Sequence, residues 1–116
     1  MALSDLELAR VKKVVGAFIE SHRPPVHMRA ELDLGFRISG QSVEIFEVRP
    51  VWRGRPGERL EHGAAKATYV RSTNHWKVFW MRRDLKWHGY EPAPYAATIE
   101  DFLALVHEDA NACFFG

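Results

Sequence analysis

Apolar residues recur at helical spacing from Leu8 to Ile19 and at every second position from Leu32 to Ile38. The first spacing predicts a helix in which Leu8, Val11, Val15 and Phe18 make one stripe, widened by Val14 and Ile19. Ser4 followed by Glu7 reads as a capping box, with Leu3 and Leu8 placed for a hydrophobic staple. Arg23-Pro24-Pro25 ends the helix: neither proline donates a backbone hydrogen bond, and each disfavours helix in the residue before it. The second spacing, Leu32, Leu34, Phe36 and Ile38 against Glu31, Asp33, Gly35 and Arg37, predicts a half-buried strand. Ser39-Gly40-Gln41 turns it into "SVEIFEVRPVW", and the two strands form a hairpin. In the second strand Val43 and Ile45 share a face with Glu47 and Arg49, and Phe46 and Val48 share the other with Glu44.

Residues 53–63, "RGRPGERLEHG", read as a polar loop. A third strand is expected in "AKATYVRS", a turn at Thr73-Asn74 and a fourth strand in "HWKVFWMRR". "KWHGYEP" is either a short fifth strand or an extended segment, and "EPAPYAA" reads as a linker. Thr98 caps a second helix, with Glu100 and Asp101 near its positive end and Ile99, Phe102, Val106 and Cys113 on its apolar face. The order predicts one α+β domain over residues 1–116: an N-terminal helix, a four-stranded antiparallel meander with room for a short fifth strand, and a C-terminal helix. Both helices are expected on one face of the sheet.

That layout raises a difficulty in the fourth strand. Trp76, Val78 and Trp80 point one way and Lys77, Phe79 and Met81 the other, so both faces are largely apolar. A sheet covered by helices on one side ordinarily leaves its other side polar. Three outcomes satisfy the pattern. The second face is closed by the long loop, the "KWHGYEP" segment and the terminal phenylalanines; or it joins two copies in a homodimer; or it binds nucleic acid. In the last case Trp76, Trp80, Trp87, His88 and Tyr90 supply the rings, and Arg49, Arg71, Arg82, Arg83 and Lys86 the phosphate contacts.

Composition narrows the class. With 47% apolar and 27% charged residues the chain suits an ordered globular protein rather than a disordered one. No apolar run approaches the roughly 18 residues of a membrane span, and "MALSDLELARVKK" lacks the pattern of a secretory leader, so a cytoplasmic protein with no membrane partner is expected. A lone cysteine, Cys113, excludes an intramolecular disulfide or a Cys-based zinc cluster. Net charge is only +1, yet unevenly placed. Residues 47–91 carry ten Lys and Arg against five acids, whereas Glu100, Asp101, Glu108 and Asp109 stand near the end with no Lys or Arg after them. This dipole steers an anionic partner toward the middle of the chain, unless the acidic helix folds against the basic region and cancels it.

Candidate chemistry is sparse. His22 and His27 lie five apart across the prolines, and His62, His75, His88 and His107 are scattered, with no zinc-ligand spacing. His88 is read either as a general acid–base or as a hydrogen-bonded structural residue, and Cys113 as a buried thiol unless a histidine reaches it. Asp33, Glu44 and the "EVR" of Glu47 to Arg49 resemble the carboxylates and E-x-K of Mg²⁺-dependent nucleases, but Arg49 occupies the lysine position and an arginine is no neutral base. Glycine patterns for phosphate or dinucleotide binding are absent, and no cofactor is expected.

The stretches E-I-F-E-x-R-P-x-W, A-K-A-T-Y-V, W-K-V-F-W-M-R-x-D-L-K-W-H-x-Y-x-P and the terminal C-F-F-G, over about residues 42–116, resemble DUF3024, a small bacterial family. The resemblance implies a stand-alone bacterial protein without an assigned activity, so it transfers no catalytic residue. It does gather polar side chains on or beside the expected sheet, among them Glu47, Lys66, Arg82, Asp84 and His88, some of which suit a buried ion-pair network. The reading is a non-enzymatic binding module whose basic, aromatic sheet region meets nucleic acid or another anionic partner. The alternatives are a homodimer or other protein–protein module joined through the aromatic face and, after it, the Mg²⁺-dependent enzyme.

Overall fold

The computed structural model describes residues 3–51, 53–109 and 113–115. Trp52 and Gly116, the last residues of two of the motifs above, lie outside them. Helix α1 (Asp5–His22) starts as its sequence predicts: the Glu7 N–H donates to Ser4 Oγ (3.2 Å) and the Ser4 N–H donates to the Glu7 carboxylate (2.8 Å). It stops where Arg23 turns extended ahead of the two prolines, and a single 3₁₀ turn, Val26–Met28, follows.

The strands are β1 (Asp33–Ser39), β2 (Ser42–Pro50), β3 (Arg59–Val70), β4 (His75–Met81), β5 (Trp87–Gly89) and β6 (Tyr95–Ala96), and helix α2 (Ile99–Glu108) comes last. The first five pair in chain order, each antiparallel to the next. The short β6 pairs with Trp76 and Lys77 of β4, on the edge where β5 pairs with Phe79 to Met81. Between the two, the Tyr90 N–H donates to the Val78 carbonyl and the Val78 N–H donates to the Pro94 carbonyl, both at 2.9 Å. The sheet's outer edge is therefore one interrupted strand with residues 91–93 looped out. The fold is α+β as expected, but the segment read as a linker supplies a sixth strand.

Two further expectations need correction. The polar loop expected at 53–63 is shorter, because Arg59 to Gly63 pair with Pro50 to Phe46 and extend the β2–β3 hairpin. Residues Arg59 to His62 are exposed on both sides of this arm, so their side chains carry no period-two signal. Ala64 is the extra residue of a bulge at the base of the arm, between the pairs Ile45–Ala65 and Phe46–Gly63. The second correction concerns Cys113, which lies beyond α2. Asp109 adopts the left-handed conformation (φ 43°) that ends the helix, and its carboxylate accepts from the N–H groups of Phe114 and Phe115 at 3.0 Å.

The core joins Val11, Val15 and Ile19 of α1 with Ile99, Phe102, Leu103 and Val106 of α2. To these the sheet adds Val43, Ile45, Ala65, Ala67, Trp76, Val78, Tyr90 and Ala96. On each long strand these residues alternate with others, among them Glu44, Lys66, Lys77 and Phe79, that stay outside the cluster. Among the described residues no helix is long and apolar enough to cross a membrane.

Candidate functional site

Strand alternation sends the expected ring residues to different places. Trp76 and Tyr90 are core, 6% and 3% exposed, with Trp76 tilted against Tyr69 and Tyr90 against Phe114. Trp80 is half-buried on the same face, with the Arg82 guanidinium 5.5 Å from its ring. These two, with His88, Tyr90, Glu91, Pro92, Pro94 and Cys113, line a cleft of about 500 Å³. His88 Nε2 lies 2.8 Å from the Asp84 carboxylate, which also accepts from the Lys86 N–H. The His88 contact first, and the Lys86 N–H second, hold the Asp84 carboxyl below the usual carboxylate range. The β4–β5 turn around them exposes Arg82, Arg83 and Lys86.

The remaining expected cations are engaged elsewhere. Arg71 reaches back to Glu7 of α1 at 3.0 Å, and its hydrogen bond, followed by that of the Ser4 N–H, lowers the Glu7 carboxyl to about 2. Arg49 pairs with Glu47, its neighbour along β2. The carboxylates of the nuclease-like pattern do not converge: Asp33 takes two hydrogen bonds from Arg23, Glu44 stands beside Arg37, and Glu44 and Glu47 project from opposite faces of β2. Among the described residues no three or more His, Cys, Asp or Glu side chains are grouped to hold a metal ion.

The face of the sheet that does not feed the core holds a group that sequence reasoning passed over. Phe46, Phe79, Met81 and Trp87 share it with Arg37, Lys66 and Lys77. Two glycines let the rings lie flat. A methyl group built on Gly35 would meet the Phe46 ring at 2.7 Å, and one on Gly63 would meet Trp87 at 2.8 Å and Met81 at 3.0 Å. Phe46 is thereby 9% exposed without a helix over it, beneath the Arg37 guanidinium at 4.9 Å. Lys66 Nζ stands 5.4 Å from the Phe79 ring and 5.8 Å from Trp87, and Lys77 Nζ is likewise 5.4 Å from Phe79. Arg37 is neutralised by Glu61 at 2.7 Å and Glu44 at 3.8 Å. Lys66 and Lys77 form no ion pair among the described residues. Of the expected site residues only Trp87 belongs to this group. The available signal was Gly35 and Gly63 inside strands, where a glycine marks a close approach.

Architecture and site together define a small α+β protein whose antiparallel sheet bears rings and cations on the face away from its core. The chain belongs to the family described as domain of unknown function (DUF3024), which matches residues 3–116 and so takes in α1, outside the stretch where the motifs are dense. No curated protein and no solved structure matches the chain.

Proposed function

We propose that the protein is a binding module for single-stranded nucleic acid, with the sheet face of Lys66, Lys77, Phe79 and Trp87 as its platform. One observation carries the reading: two lysines with no carboxylate partner among the described residues stand over half-buried rings on adjacent strands. Rings offer stacking surfaces to unpaired bases, and lysines between them reach the backbone phosphates. Arg82, Arg83 and Lys86, on the turn at the end of β4, extend the positive charge beyond this platform. The cation–π contacts of the free protein are readily exchanged, since an ammonium over a half-buried ring is held by only about 0.5–2 kcal/mol.

The test is a fluorescence-anisotropy titration of a labelled oligothymidylate at several salt concentrations. Affinity is expected to fall as salt rises, because each phosphate contact releases a counterion. Trp87→Ala should weaken binding by about 1–3 kcal/mol at every salt concentration. Absence of binding at low ionic strength, or unchanged affinity in Trp87→Ala, would overturn the proposal. Sedimentation of the same samples covers the self-association alternative: a dimer that Trp87→Glu dissociates would give this face to a second copy of the chain.

A further inference from the structure

The last turns of α1 and α2 bring together two histidines that lie 85 positions apart in the sequence. His22 Nε2 is 2.8 Å from His107 Nδ1, with ring centres 5.0 Å apart and planes nearly perpendicular at 83°. The His22 ring stacks on Phe18 at 4.0 Å, and its Nδ1 lies 2.8 Å from both the Phe18 carbonyl oxygen and Ser21 Oγ. A carbonyl only accepts, and the Ser21 hydroxyl already donates to that same oxygen. His22 Nδ1 therefore carries the proton, and in the neutral ring Nε2 is a bare lone pair aimed at its partner. An imidazole whose second nitrogen is tied to protein oxygens is the usual arrangement of a metal-ligating histidine.

We infer that the His22–His107 pair is a seat for one divalent transition-metal ion from the zinc–copper end of the series. In the free protein His107 fills the gap with its Nδ1–H. Moving that proton to Nε2, the other neutral tautomer, leaves two lone pairs converging on one point and changes no net charge. Imidazole nitrogens hold Zn²⁺ at about 2.0–2.1 Å, so at tetrahedral angles the two atoms separate to about 3.3 Å, a small swing for two exposed rings. Both rings lie in final helical turns, where the helix dipoles favour a cation. The neighbouring Arg23 guanidinium offers little opposition, being turned toward Asp33 and Glu20. Imidazole ligands select zinc, copper and nickel over magnesium or calcium. With two protein ligands, water completes the coordination, and the ion pins the ends of the two helices together.

Calorimetric titration of the untagged protein with Zn²⁺ tests this. One ion per chain is expected, with affinity reduced at least about tenfold in His22→Gln and in His107→Gln, as losing a ligand should cost no less than losing its supporting contact. His62→Gln, on the exposed hairpin arm, should leave the isotherm unchanged. Zn²⁺ should also raise the melting temperature of the wild type and of neither pair variant. No uptake by the wild type, or an isotherm that survives either pair substitution, would overturn the inference. Both are independent of oligonucleotide binding, so this site and the proposed platform stand or fall separately.

Discussion

Trp76 and Trp87 sit on strands of the same sheet, β4 and β5, and meet opposite conditions. Trp76 enters the core cluster shared with α1 and α2, tilted against Tyr69. Trp87 lies on the other face over Gly63, with an ammonium near its outer surface. Rings on the core face are held by depth. On the outer face Phe46 and Trp87 are held by flatness, because a glycine beneath removes the side chain that would lift them and an arginine or lysine covers what remains. A strand with large apolar residues on both sides is thus no sign of two buried faces. Without a covering element, a ring lies low on the sheet where a glycine sits beneath it: Gly35 on the adjacent strand for Phe46, and Gly63, two strands away, for Trp87.

Stability should register that difference most strongly. Phe102, fully buried between helix and sheet, should cost about 3–5 kcal/mol when replaced by alanine. Phe79→Ala should cost only about 1–2 kcal/mol, since a half-buried ring gains part of the transfer energy. Urea unfolding of the two variants reads this directly, and equal losses would erase the distinction between the faces.

Next in size is the effect of lifting a ring. Gly63→Ala should cost about 1–3 kcal/mol through overpacking against Trp87 and Met81. It should also weaken oligonucleotide binding with no change of charge. Gly89→Ala, on β5 with open space around its Cβ position, is the matched control and should be close to neutral. If both behave alike, the flat seating of Trp87 is irrelevant to the face.

The smallest effect belongs to the contact tying α1 to the sheet. The Glu7 carboxyl titrates at about 2 in the folded protein against an ordinary 4.5, mainly because Arg71 donates to it. A lowered folded value means that the stabilisation is complete above the ordinary value and is lost as pH falls from about 4.5 to about 2. The stability difference between wild type and Glu7→Gln should shrink across that window, modestly because the pair is solvent-exposed. Oligonucleotide affinity at neutral pH should not change.

Local patterns in the sequence were legible wherever one residue set one conformation. The Ser4–Glu7 box, the Pro24-Pro25 stop, the Thr98 cap and the period-two runs of β1 and β2 all appear where spacing and chemistry placed them. What escaped depended on contacts between distant segments. The β2–β3 arm has no apolar side to announce it, and β6 is two residues held by pairing with β4. The end of α2 was hidden because Asp109, rather than a glycine, adopts the left-handed turn. At the site, ring and charge counts gathered Trp76, Trp80, Trp87 and Tyr90 into one surface, but the register sends Trp87 to the face opposite Trp80. Lys66, grouped by the sequence with residues suited to a buried ion-pair network, forms no ion pair among the described residues; the pairing of β3, β4 and β5 sets it by Phe79 and Trp87, and Lys77 by Phe79.

The central claim, that this outer face takes single-stranded nucleic acid, is tested most directly by comparing two charge-neutralised proteins in the same anisotropy titration. Lys66→Gln with Lys77→Gln removes two charges from the platform, and Lys12→Gln with Lys13→Gln removes two from the exposed side of α1. The platform pair should weaken binding and flatten the dependence of log K on log salt by about 0.7 per lost single-strand contact. The helix pair should leave both affinity and slope near those of the wild type. Equal weakening by the two pairs would reduce the interaction to general charge attraction and contradict the assignment of this face.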